Sequence, residues 1–427
     1  MAERDTIFAL SSGRPPAAVS VIRISGPKAH RAAADIAGSL PPPRTAAVRE
    51  LRHPQSGEIL DEALILRFDA PASATGEDTV EFQCHGGRAV VDAVLSALGS
   101  IDGLRQAQPG EFTRRAFENG RLDLTEAEGL ADLIEAETES QRKAALATAE
   151  GGLRKQIDLW RQQVLDLSAR AERAIDYDDD DNGADAELSR GCTGVAAELR
   201  QWLQRPRVER LKDGVRVVVT GPPNAGKSSL INSIVGDERA IVTDVPGTTR
   251  DYIEVPLSLG GVPVVLVDTA GLRETADMVE AIGVERATAL MQSTDVLIWL
   301  GAPDRAPGHR RLIKVHAQCD RPERSHMPTG SMAVSALTGL GVSNLLEAVA
   351  ELAKQVFPDD GAIALNRRQA ALVEEAADAL DGGATATDPV LVAEELRQAR
   401  NAFDRLTGRA GVEDVLDALF SRFCLGK

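Results

Sequence analysis

Short β-like runs, "AVSVIRIS", "EALILRF" and "TVEFQC", alternate with turn-rich segments and one Ala-rich helical stretch, "GRAVVDAVLSALGS", between Asp5 and about Asn119. This pattern predicts an α+β unit. From Leu122 to about Leu211 the chain turns to Ala, Leu, Glu, Gln and Arg. Apolar residues recur there at helical spacing: Leu130, Leu133 and Ile134, then Leu153, Ile157, Trp160, Val164 and Leu167. They read as the core stripe of a helix bundle. The run "DYDDDDNGADAE" interrupts the helices, lacks EF-hand ligand spacing and is expected to be a solvated loop. At "VRVVVTG" buried strands separated by helices take over, through "VPVVLVDT", "DVLIWLG" and "GSMAVSA" to about Ala353, which predicts a parallel α/β domain. After "FPDDGA" helical periodicity returns with "AALVEEAADAL", "VAEELRQARNAFDRL" and "GVEDVLDALFSRF". The simplest arrangement inserts an α/β domain between two halves of one helical domain, with expected divisions 1–119, 120–213, 214–356 and 357–427.

Bulk properties sharpen this reading. A chain of 427 residues is too long for one core. The cysteines, Cys84, Cys192, Cys319 and Cys424, form no C-x-x-C pair, so neither a disulfide framework nor a zinc ribbon is indicated and a reducing cytoplasm fits. With 48 Lys+Arg against 65 Asp+Glu the net charge is −17, which argues against a general nucleic-acid coat protein. "MAERDTIFAL" is charged, and no stretch reaches about 18 apolar residues, so neither a signal peptide nor a membrane span is expected.

The clearest chemistry is "GPPNAGKS", Gly221 to Ser228, which follows the strand "RVVVT" and opens the helical "SLINSIVG". In that context G-x-x-x-x-G-K-[ST] is a phosphate cradle. Backbone N–H groups of Asn224, Ala225, Gly226, Lys227, Ser228 and Ser229 can face one anion, Lys227 adds a point charge, and Ser228 offers a hydroxyl to Mg²⁺. Downstream, "VVLVDTAG" places Asp268 at the end of a buried strand, with Thr269, Ala270 and Gly271 in the turn beyond. This is D-x-x-G geometry, an acid near Mg²⁺ and an N–H near a γ-phosphate. Between the two lies "TDVPGTTRD", Thr243, Asp244, Val245, Pro246, Gly247, Thr248 and Thr249 onward, in which Thr249 completes the magnesium shell. Three motifs in this order indicate a switch GTPase. "VSALTG" adds Ser335, Ala336 and Leu337, which resemble the loop that packs on guanine. Two departures matter. Leu272 stands where Ras-like enzymes carry the water-orienting glutamine, and N-K-x-D is replaced by "AQCD", Ala317 to Asp320. Asp320 can still accept from guanine, whereas the contacts of Asn and Lys are expected to be missing.

The motif set as a whole, "GTTRD", "DTAGLRET", the terminal "FCLGK", and the segments "TGEDTVEFQCHGG" and "PGEFTRRAFENGRLDLTEAEGLADLI", resembles the MnmE (TrmE) family of tRNA-modification GTPases over the full chain. The resemblance implies a tetrahydrofolate-binding-like α+β domain, a helical bundle and an inserted Ras-like P-loop GTPase domain. It implies a cytoplasmic homodimer working with an FAD-dependent partner, MnmG, on C5 of the wobble uridine (U34) of certain tRNAs. The one-carbon unit would come from 5-formyltetrahydrofolate or a related folate, held by Arg23, Glu81, Arg121 and Lys427. Arg121 stands where lysine is expected. K⁺ would stimulate hydrolysis, bound by Asn224 with Thr243, Val245 and Thr248, and Glu280 would position water. Given the acidic chain, tRNA would be gripped through local patches or the partner.

Cys424 sits fourth from the end, but Gly426 and Lys427 fit a prenylation box poorly. It reads either as a small filler beside Phe420 and Phe423 or as a thiolate activated by Arg422 or Lys427, and the resemblance favours the reactive role. Two alternatives to a modification GTPase stay open. One is a nucleotide-binding scaffold with little turnover or guanine selectivity, suggested by "AQCD"; the other is a ribosome-assembly GTPase, which would not need the folate-like domain.

Overall fold

The computed structural model describes residues 5–176, 182–237, 241–242, 253–268, 294–357, 363–411, 413–423 and 425–426. The chain forms two compact units, 1–131 with 404–427, and 132–403.

The first unit is built on a six-stranded sheet of order β3-β4-β5-β2-β1-β6. Its strands are β1 (Thr6–Leu10), β2 (Val19–Ser25), β3 (Ala47–Arg52), β4 (Ile59–Phe68), β5 (Thr79–His85) and β6 (Leu104–Gln106). Neighbours are antiparallel except β1 and β6. Alternation decides which face is covered. Ile22, Ile24, Phe82 and Cys84 are buried against Ala33 and Ile36 of α1 (Ala29–Ala37) and Val91, Val94 and Leu98 of α2 (Arg88–Gly99). Residues of opposite parity, Val19 and His85 among them, look away from that core. A second cluster joins Leu124 and Ala127 of α4 (Leu124–Glu135) to Leu416, Leu419, Phe420 and Phe423 near the C-terminus, following α3 (Glu111–Glu118). A buried ion group ties the unit together. Arg115, 7% exposed, reaches Glu77 at 3.2 Å and Glu111 at 3.1 Å, and donates to the Asp5 carbonyl at 2.8 Å.

The second unit begins with helices. Thr138 and Gln141 form a capping box at the start of α5 (Glu139–Ala149). The Gln141 amide also donates to the Leu211 carbonyl at 2.9 Å, in α8 (Val208–Asp213). In α6 (Gly152–Asp176) Leu153, Ile157, Trp160 and Val164 are fully buried, as the stripe predicts. Trp160 meets Trp202 of α7 (Asn182–Leu203) edge-on at 5.3 Å and stacks on Phe403 at 6.1 Å. Its indole N–H donates to Glu198 at 2.9 Å, so the buried ring leaves no polar atom unpaired. Two expectations fail here. Ile134 is 42% exposed rather than core, and α7 already begins at Asn182, so the "NGADAE" part of the acidic run is helical.

The rest of this unit is a seven-stranded sheet of order β13-β12-β11-β7-β10-β9-β8. The strands are β7 (Val215–Thr220), β8 (Ile241–Val242), β9 (Ile253–Leu259), β10 (Val262–Asp268), β11 (Val296–Trp299), β12 (Leu312–Ala317) and β13 (Met332–Val334). β7, β10, β11, β12 and β13 run parallel, with β9 antiparallel to β10. Both faces of β7 are covered, Val217 and Val219 on one side and Val218 on the other, which explains its unbroken valines. The carboxyl ends of β7, β10, β12 and β13 therefore share one edge, where ligands of such sheets bind.

Candidate nucleotide-binding site

From β7 the chain enters the loop Gly221–Gly226 and then α9 (Lys227–Val235). Three residues of this loop have positive φ: Gly221 at 154°, Asn224 at 61°, which asparagine tolerates, and Gly226 at 92°. A Cβ on Gly226 would come within 3.2 Å of the Gln318 amide nitrogen, so glycine also makes room for that contact. Ala225 is buried, anchoring the loop from below, while Asn224, Ser228 and Ser229 are exposed toward its mouth. Lys227 Nζ donates to the carbonyls of Gly221 at 3.2 Å and Pro222 at 3.0 Å, which keeps the ammonium over the loop.

The parallel pairing of β10 with β7 sets Asp268 opposite Val219. Asp268 is 5% exposed, and its Oδ2 accepts from the Ser228 hydroxyl at 3.0 Å. A hydroxyl and a carboxylate converging beside a phosphate loop are the donor set Mg²⁺ takes in such sites, so these residues fit the ion.

The turns that carry the residues expected to read guanine are also neighbours. β12 pairs with β13, placing Ala317 opposite Val334 and bringing the turns beyond each strand together. Ser335 is fully buried, and its hydroxyl holds the Asp320 carboxyl below the usual carboxylate range, helped by the Asp320 backbone and Arg321 against a small desolvation penalty. Asp320 thus stays an acceptor, the state that guanine N1 and N2 donors require. Leu337 is 84% exposed, available to a flat base, and Ala336 lies between it and Ser335. Position 318 makes a contact within the protein itself. Gln318, itself at φ 59°, donates its amide to the Asn224 carbonyl at 3.3 Å. Sequence reasoning missed this because the two residues are joined only through the strand order.

In the first unit Arg23 and Glu81 are cross-strand partners, paired at 2.8–2.9 Å. The Arg23 guanidinium lies 5.6 Å from the Phe112 ring centroid, a cation–π neighbour that the sequence did not disclose. Arg121 is exposed and lies against Gly76, where a Cβ would approach its Cγ to 3.1 Å. The neighbouring Thr75 hydroxyl bonds Ser25 at 2.7 Å, two residues along β2 from Arg23. Thr243, Asp244, Val245, Pro246, Gly247, Thr248, Thr249, Thr269, Ala270, Gly271, Glu280, Cys424 and Lys427 lie outside the described residues.

A phosphate loop, a serine–aspartate pair beside it and two adjoining base loops on a parallel sheet define a P-loop GTPase domain. Sequence comparison then extends from that domain to the entire chain. Residues 6–121 match the family model "GTP-binding protein TrmE N-terminus" and residues 124–424 match "MnmE helical domain". The chain is 50% identical over 426 residues to the tRNA modification GTPase MnmE of Erythrobacter litoralis, covering 99% of this chain and 100% of that one. It is 49% identical over 435 residues to the tRNA modification GTPase MnmE of Novosphingobium aromaticivorans, with 99% and 100% covered. Among solved structures, the G domain of the T. maritima FeoB iron transporter matches at 24% identity over 33% of this chain and 98% of its own, with a TM-score of 0.24. The chain belongs to the MnmE family.

Proposed function

We propose that this chain, a tRNA modification GTPase by family, hydrolyses GTP with Mg²⁺ and K⁺ and acts with FAD-dependent MnmG on C5 of the wobble uridine, U34, of certain tRNAs. The product would be (carboxymethyl)aminomethyluridine, its one-carbon unit drawn from a tetrahydrofolate. The observation that carries the GTPase half is the Ser228–Asp268 pair at 3.0 Å beside the Gly221–Gly226 loop. Lys227 and the loop N–H groups neutralise the triphosphate, Ser228, Asp268 and Thr249 would hold Mg²⁺, which would supply charge to the phosphates, and Asp320 selects guanine. Asn224, Thr243, Val245 and Thr248 would hold K⁺, which supplies positive charge where it develops on the phosphates. With leucine at position 272, Glu280 orients the attacking water.

The modification half rests on Arg23 and Glu81, which present a guanidinium and a carboxylate side by side, suited to a ligand carrying both donors and acceptors. Arg121 and Lys427 complete that folate group, and Cys424 is the reactive thiol of the terminal motif. Exposed Val48 on the edge strand β3 and Ile59 on β4 support a homodimer. No helix among the described residues is long and apolar enough to cross a membrane. The missing N-K contacts favour the scaffold reading, but the intact phosphate and magnesium groups count against it.

The test is nucleoside analysis of tRNA from cells in which this chain is the sole source of the activity. Wild type restores the C5 substituent of U34, whereas Lys227→Ala and Cys424→Ser do not. Normal U34 in both variants would defeat the reading.

A further inference from the structure

β5 carries an imidazole that no role described so far uses. The His85 ring donates Nδ1–H to Asp61 Oδ1 at 2.7 Å, and the His85 backbone N–H donates to Asp61 Oδ2 at 2.8 Å. An ionised carboxylate only accepts, so the ring proton sits on Nδ1 and the lone pair on Nε2. The two partners differ sharply in exposure: the Asp61 side chain is 8% exposed and that of His85 is 74% exposed. A buried carboxylate thus fixes the tautomer and direction of an imidazole whose working nitrogen faces solvent.

Its position gives it a neighbour. Glu81, Gln83 and His85 alternate with the buried Phe82 and Cys84, so all three project from the face of the sheet opposite the α1–α2 core, with His85 at its exposed end. Across β2 their partners are Arg23, Val21 and Val19. His85 therefore shares a face with the Arg23–Glu81 pair, about 13 Å farther along the strand. Gly86, where a Cβ would fall 2.1 Å from the Ala17 carbonyl oxygen, brings the 11–18 segment against this strand end.

We propose that the Asp61–His85 pair is a general acid–base group for one-carbon chemistry on this face, an assignment that rests on the folate reading above. Nε2 takes a proton from the reacting ligand, the imidazolium is held by its hydrogen bond to Asp61, and the proton returns to the ligand or to solvent. The charged groups acting on His85 are Asp61 and Glu62 of β4, whereas Val19 of β2 and Ala17 and Ala18 beyond it are neutral. Arg88, at the start of α2, gives its Nε to the Pro15 carbonyl. The hydrogen bond and charge of Asp61 raise the His85 pKa above 6.5, with Glu62 adding to them.

The experiment uses the full chain with its FAD-dependent partner. Wild type, His85→Gln and Asp61→Asn are assayed for U34 modification from about pH 5.5 to about pH 9. Diethyl pyrocarbonate labelling of His85 is followed by mass spectrometry with and without 5-formyltetrahydrofolate. His85→Gln is expected to keep folate binding and GTP hydrolysis and to lose about 100-fold or more in modification rate. Asp61→Asn lowers the His85 pKa, so the limb of the pH profile that follows His85 moves to lower pH. Folate is expected to protect His85 from the reagent. Modification by His85→Gln within about twofold of wild type, below the general acid–base range, overturns the proposal, as does an unmoved limb in Asp61→Asn. If both variants behave as expected but folate neither binds nor protects, the acid–base assignment stands and the folate reading falls.

Discussion

Gln318 reaches across the sheet edge to the phosphate loop, its amide donating to the carbonyl of Asn224 at 3.3 Å. A glutamine thus braces the loop that carries the proposed K⁺ ligand, and the base-recognition segment is coupled to the phosphate site without a charge. Gln318→Ala should release GDP about 2- to 10-fold faster, the worth of one exposed hydrogen bond. Gln318→Lys should restore slow release. Stopped-flow dissociation of a fluorescent GDP analogue reads both, and identical rates in all three proteins would show that the contact is idle.

The Ser228–Asp268 pair makes a separate prediction. Ser228→Ala should raise the Mg²⁺ concentration for half-maximal GTP hydrolysis by about 10-fold or more, and Asp268→Asn should act in the same direction. A magnesium titration at saturating GTP checks this. An unshifted midpoint in both variants would remove the pair from the metal site.

Legibility was uneven, for physical reasons. β2, β4, β5, α2 and the phosphate loop could be read from local alternation and spacing, because each depends on residues close in sequence. Arg23 and Glu81 lie 58 positions apart, so only the register of β2 on β5 joins them. The same holds for Gln318, whose turn reaches Asn224 through the order β12-β11-β7. Ile134 fits the helical stripe but falls in the last turn of α4, where periodicity alone does not fix burial.

Burial makes two thiols inert. Desolvation pushes Cys84 up to about 12, with Asp61 adding to the shift, and pushes Cys192 up to about 11. Their thiolate forms are therefore scarce at pH 8. Iodoacetamide at that pH should leave both unmodified in the native protein and label both after denaturation. Rapid native alkylation of either would contradict the packing described for β5 or α7.

The Arg115 group predicts a stability effect. Arg115→Ala removes one cation from Glu77 and Glu111, each only about a tenth exposed; Glu111 keeps Arg105 at 2.6 Å and Glu77 keeps the Ser25 hydroxyl at 2.8 Å, so the cost should be about 1–3 kcal/mol. In a unit of this size that corresponds to roughly 2–12 °C in melting temperature. Calorimetry should place the loss in the first unit and leave the nucleotide-binding unit's transition unmoved. A fall of under about 2 °C would mean the group contributes little.

Single-turnover hydrolysis with nucleotide-saturated protein tests most directly whether the proposed monovalent cation at Asn224 drives GTP hydrolysis. Rates are compared in KCl and NaCl for wild type and Asn224→Ala. Wild type should hydrolyse GTP about 10-fold or more faster in KCl, from charge stabilisation at the phosphates, and Asn224→Ala should show no difference. Equal wild-type rates in the two salts would contradict it.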